Sequence, residues 1–123
     1  TLSAHFADTG RSPSYYDLIV TGDLGLVGSE LNRQLCAREG YPLGKNYTDC
    51  GLMLFDRETQ DVHAGGSGCG CSASVLCAHF LPRLCRGEMR SLLFVPTGAL
   101  MSPTSSQQGE SIPGIAHAVL LSV

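Results

Sequence analysis

The stretch YDLIVTGDLGLVGSELNRQLCAREG, residues 16–40, decides the architecture. Tyr16–Thr21 is a short apolar run bounded by Pro13 and Gly22, the pattern of a strand buried on both faces. From Leu24 to Glu39, Val27, Leu31 and Leu35 recur four residues apart on one helical face. Gly40 stands where a left-handed C-terminal cap belongs, and Pro42 prevents the helix from continuing. Strand, turn and helix form the first half of a βα unit.

Outward from this unit, Leu2–Phe6 reads as a helix already under way. The chain opens on Thr1 with no initiator Met, so residues 1–123 are read as a single C-terminal domain of a longer polypeptide. Gly51–Phe55 reads as a short strand within an otherwise polar segment, and the length of that loop points to function. A second helix starts near Ser72 and runs to about Arg86, with Val75, Leu76, His79, Phe80 and Leu84 on its apolar face. Pro82 predicts a kink in it, because proline removes a backbone donor. Arg90–Thr97 is a second buried strand, with Pro96 marking a strand end or a sheet edge. Met101–Gly114 reads as a polar loop and Ile115–Val123 as the last strand. This order of elements implies a layered α/β domain.

Bulk composition excludes several classes. The chain of 123 residues is 43% hydrophobic and 15% charged, enough to bury one core. A net charge of −3 without a Lys/Arg cluster argues against nucleic acid as a partner. Apolar runs such as Leu92–Val95 and Ala118–Leu121 are too short to cross a bilayer, and no signal peptide is visible. The six cysteines lack the small, secreted, loop-dominated context of a disulfide scaffold, so reduced intracellular thiols are expected. Cys36, Cys77 and Cys85 fall among helical residues, where a free cysteine behaves as a small hydrophobe.

The densest chemical signal is HAGGSGCGCS, residues 63–72, directly before a helix. Four glycines in the six positions 65–70 permit backbone angles closed to other residues and let a ligand approach the main chain. Free N–H groups and the helix dipole then favour an anion such as a carboxylate or phosphate. The competing reading is that these glycines only allow loop and sheet to pack closely. Gly68-x-Gly70-x-x-Ala73 fits a dinucleotide fingerprint by letter, but Asp56–His63 is too polar to be its strand. Gly40–Lys45 is one residue short of a phosphate loop, and Gly65–Cys69 lacks the second glycine of a serine-hydrolase elbow. Cys69, Cys71 and His63 lack the second ligand pair of a structural zinc site. Cys69 or Cys71 at a helix start, with His63 or His117 as base, is a candidate nucleophile; packing in a crowded turn is the alternative. His5 and His79 read as packing or surface residues, and the hydroxyl-rich loop of residues 102–114 as either ligand-facing or a solvated connection.

Four strings carry a resemblance: residues 16–25, residues 49–53, residues 61–73 and residues 97–117. Together they resemble the stage V sporulation protein AD family, over nearly the whole chain. The resemblance implies a thiolase-like fold, α/β/α with a mixed sheet, of which this chain would be the later part of the second half. It also implies binding of dipicolinic acid, free or as its calcium chelate, for uptake into the developing spore. Other proteins of the same operon at the inner spore membrane would be partners, and a homodimer would form at full length. Enzymes of the fold carry a histidine where this chain has Gly22 and Asp23, and a His or Asn where it has residues 66–68. A non-catalytic role without cofactor is therefore expected, with an acyl-thioester condensing enzyme as the alternative. The implied ligand contacts are His63, Gly65, Gly66, Ser67, Gly68, Cys69, Ala99 and Ser102, and no metal ligand is expected.

Overall fold

The computed structural model describes residues 1–98, 102–111 and 114–123. Strand β1 (Leu18–Thr21) pairs in parallel with β2 (Tyr47–Asp49) on one side and with β3 (Ser91–Val95) on the other. Strand β4 (Val119–Ser122) pairs antiparallel with β3, so the sheet order is β2-β1-β3-β4.

Side chains of β1 and β3 alternate between two cores, as the pleat requires. Ile19 lies opposite Leu93, and Thr21 opposite Val95. Ile19, Leu93 and Val95 pack with Leu2 and Phe6 of α1 (Leu2–Thr9), Cys36 of α2 (Gly25–Arg38) and Tyr47 of β2. Val20, Leu92 and Phe94 face the opposite side. There they meet Cys50 of α3 (Cys50–Met53), Cys71 and Val75 of α4 (Cys71–Val75) and Leu84 of α5 (Leu81–Cys85). Helices thus cover both faces of a mixed sheet, the α/β layering expected from the sequence. Ile19, Val20, Leu92 and Leu93 are fully buried, and each contributes about 1.5–3 kcal/mol by leaving water.

Several expectations need correction. Gly51–Phe55 is not a strand: the strand is Tyr47–Asp49, and a helical turn follows at Cys50–Met53. The reason is Asp49, whose carboxylate accepts the Gly51 N–H at 2.9 Å and so starts a helix. The polar loop of residues 101–114 contains α6 (Pro103–Gln107), begun by the Ser102 hydroxyl accepting the Ser105 N–H. Pro96 marks the end of β3, which is an interior strand; the edges of the described sheet are β2 and β4. Helices α4 and α5 are joined by a π turn at Leu76–Phe80, in which the Leu81 N–H donates to the Leu76 carbonyl. The widened turn sits just before Pro82 and absorbs the donor that proline lacks.

The face of α2 that carries Val27, Leu31 and Leu35 does not enter the core. The inward face is formed by Gly25, Ser29, Asn32, Arg33 and Cys36. The Arg33 guanidinium donates to the carbonyls of Leu43, Gly44 and Tyr47 at 2.8–3.0 Å, and Asn32 Nδ2 donates to the Tyr47 hydroxyl at 3.0 Å. Polar anchors therefore hold α2 to the sheet. No helix among the described residues is long and apolar enough to cross a membrane.

Candidate functional site

Loops from three parts of the chain converge where β1 and β3 end, the edge at which α/β sheets take ligands. Asp23, two residues past β1, holds them together. Its Oδ2 accepts the Ser67 hydroxyl at 2.9 Å and the Gly68 N–H at 3.0 Å, and its Oδ1 accepts the Thr97 hydroxyl. The Asp23 N–H donates in turn to Thr97 Oγ1 at 3.2 Å. Burial alone pushes the Asp23 carboxyl up, but hydrogen bonds from Thr97, Gly68 and Ser67 outweigh it and hold the group below its ordinary value. A carboxylate from this chain thus sits on the glycine-turn amide that sequence reasoning offered to a ligand.

A second carboxylate lies deeper. Asp49 is fully buried. Its Oδ2 accepts the Thr21 hydroxyl at 2.7 Å and the Leu24 N–H at 3.0 Å. Its Oδ1 accepts the N–H groups of Gly25 and Gly51, each at 2.9 Å. One side chain thereby caps the N-termini of α2 and α3, where a negative charge is favoured. Thr21 Oγ1 also lies 3.0 Å from the Tyr47 hydroxyl, which extends the network to Asn32. Burial raises the Tyr47 hydroxyl pKa despite its hydrogen bonds with Thr21 and Asn32, so it stays neutral.

The glycines of the turn divide into two kinds. The Gly65 N–H donates to the Val62 carbonyl at 2.9 Å, and the Gly66 N–H to the Gly51 carbonyl at 2.7 Å. A Cβ on Gly65 would run into the Gly51 carbonyl oxygen, so this half of the turn needs glycine for close packing. Gly68 and Gly70 face open space, and Gly68 has φ 121°, an angle that favours glycine. Cys69 and Gly70 are exposed, and their amides make no hydrogen bond with other described residues.

A cavity of about 220 Å³ opens at the ends of β1 and β3, and residues 63–72 of the glycine turn are not among its described lining. Leu2, Leu24 and Val95 supply apolar walls, and Thr21, Asn32 and Thr97 supply neutral polar groups. No cysteine, histidine or charged side chain is among the described lining residues.

Of the residues named from sequence, Ser67 and Gly68 meet at Asp23, Gly65 and Gly66 pack against Gly51, and Cys69 stands exposed before α4. His63 is exposed, with φ 47° and its Nε2 at 3.8 Å from the Asp61 carboxylate. Ser102 caps α6 and does not line the cavity. Ala99 lies outside the described residues. Sequence reasoning missed Asp23, Asp49, Thr97, Thr21 and Asn32. The available signal was an aspartate at or just past a strand end with glycine two residues on, since aspartate disfavours strands and caps helices.

All six cysteines are free thiols. Cys36 is buried, whereas Cys77 and Cys85 face solvent and do not serve as core hydrophobes. Burial, followed by the charges of Asp23 and Asp49, raises the Cys71 thiol. Burial and the Asp49 carboxylate push Cys50 to about 12. Neither is activated as a nucleophile, because the thiolate is the reactive form. No group of three or more His, Cys, Asp or Glu residues placed to hold a metal occurs among the described residues.

Fold and site define an α/β domain with a small neutral crevice at the sheet's C-terminal edge, clamped by two internal carboxylates. Residues 1–122 match the family described as Stage V sporulation protein AD, and the chain belongs to that family. It is 47% identical over 120 residues to Stage V sporulation protein AD of Bacillus subtilis (strain 168), covering 98% of this chain and 35% of that relative. The chain thus spans about a third of the relative's length. The family is one of sporulation proteins.

Proposed function

We propose that this chain forms part of a non-catalytic, thiolase-like binding protein for dipicolinic acid, free or as its calcium chelate, serving its uptake into the developing spore. The observation that carries the reading is the cavity at the shared end of β1 and β3. Pyridine-2,6-dicarboxylate is a flat ring flanked by two carboxylates. Leu2, Leu24 and Val95 suit the ring faces, and Asn32 keeps a second amide N–H beyond the one given to Tyr47. The open amides of Cys69 and Gly70 lie on the glycine turn, outside the described cavity lining, and form a separate pair of donors. Membership of a sporulation family gives this chemistry its setting, the spore. Other proteins of the operon at the inner spore membrane are the partners we propose, with a homodimer at full length.

An acyl-transfer role has less support. Cys71 is held protonated, and no hydrogen bond joins Cys69 to a histidine among the described residues. Titration calorimetry of the family-length protein with pyridine-2,6-dicarboxylate, with and without calcium, tests the binding reading. Leu24→Trp fills the cavity and should weaken binding by about tenfold or more, roughly 1.4 kcal/mol. Unchanged affinity would reject the site. A covalent acyl adduct on a cysteine after incubation with acyl-CoA, seen by mass spectrometry, would overturn the non-catalytic reading.

A further inference from the structure

The outward face of α2 is aliphatic: Val27 is 62% exposed, Leu31 53% and Leu35 55%. At 100° per residue these three side chains fall within roughly 80° of the helix circumference and extend over roughly 12 Å of its length. Their face lies opposite the inward set Gly25, Ser29, Asn32, Arg33 and Cys36. A solvated helix would place charged residues here, so a continuous aliphatic stripe marks a surface that another structure covers.

We propose that this stripe is an intramolecular docking face, covered by the part of a family-length polypeptide that the present chain does not span. Two observations select this occupant. First, the chain accounts for 35% of its B. subtilis relative, so most of a family-length polypeptide lies outside the described fold. Second, the patch is small. Three aliphatic side chains present on the order of a few hundred Å² at most, against about 800 Å² per partner in a stable intermolecular interface. A contact of that size holds when both sides belong to one polypeptide, because the entropy of bringing two molecules together is not lost. A second copy of the chain docking here by itself is therefore disfavoured. A lipid surface fits worse still, since α2 carries only Arg33 and Arg38 and Arg33 is committed to three backbone carbonyls.

The test uses the family-length polypeptide carrying photoreactive benzoylphenylalanine in place of Leu31. Irradiation followed by peptide mass spectrometry should join position 31 to a peptide outside residues 1–123 of the same molecule. A dimeric adduct on a denaturing gel, or no adduct at all, overturns the proposal. In parallel, Leu31→Asp and Leu35→Asp should each lower the melting temperature by at least about 3 °C. The neighbouring exposed substitution Glu30→Gln should leave it unchanged. Aspartate variants that melt with the parent would also overturn the proposal.

Discussion

Removal of the Asp49 carboxylate should damage the fold more than any comparable surface change. The side chain is fully buried and accepts four hydrogen bonds, from Thr21 Oγ1 and from the N–H groups of Leu24, Gly25 and Gly51. Asp49→Ala leaves all four donors without an acceptor, and an unsatisfied buried donor costs about 1–3 kcal/mol. The four are neighbours and not independent, so the sum is taken near its low end, about 4–6 kcal/mol. Asp49→Asn keeps one oxygen for Gly25 and Gly51 but turns an NH₂ toward the Leu24 N–H and loses the charge, which should cost about 2–3 kcal/mol. Against a typical total of about 5–15 kcal/mol, the alanine variant approaches loss of the native state. Urea denaturation followed by circular dichroism reads the effect. With a slope of about 2 kcal/mol per M, the asparagine variant should shift the midpoint down by about 1 M or more. Asp56→Ala, which removes an exposed turn cap on Glu58 and Thr59, serves as the control. If both Asp49 variants stay within about 1 kcal/mol of the parent, the network does not organise the helix starts as argued.

Other outcomes follow from the same geometry. The Asp23 carboxyl is held below its ordinary value of 3.8, so its contribution to stability is present above that pH and is lost as the pH falls through the lowered value. Asp23→Asn should abolish this acid-side loss in thermal melts between neutral and acid pH; an unchanged profile would refute the clasp. Alkylation of the native protein at about pH 8 should modify the exposed Cys69, Cys77 and Cys85 and spare Cys36, Cys50 and Cys71. Peptide mapping reads the sites, and labelling of Cys50 in the folded protein would contradict its burial. Gly65→Ala should cost roughly 1–3 kcal/mol or more, because its Cβ meets the Gly51 carbonyl and its φ is 116°. Gly70→Ala, with open space around it, should stay within about 0.5 kcal/mol in the same denaturation assay.

The strands β1 and β3 were legible because continuous apolar runs of three or four residues have one common use, a strand covered on both faces. Strand β2 was not. Tyr47-Thr48-Asp49 is three residues long with no apolar run, and it is extended because β1 offers it a parallel partner in register. The glycine turn was legible as a crowded loop entering a helix. Which of its amides remain open was not, because Asp23 sits 45 residues before Gly68 and only folding brings them together. The orientation of α2 is the clearest divergence. Periodicity at Val27, Leu31 and Leu35 shows that a stripe exists, but not what it faces.

By itself, the sequence determined the α/β order, the two central strands, the helix that follows the glycine turn and the family. These depend on local pattern and on strings of neighbouring residues. Tertiary structure alone decided the carboxylate clasps, the position of the cavity and the outward turn of α2. Each depends on which distant polar group finds an unpaired N–H or carbonyl. Those pairings are selected by the cost of leaving a buried backbone group unsatisfied, a cost that no local window of sequence contains.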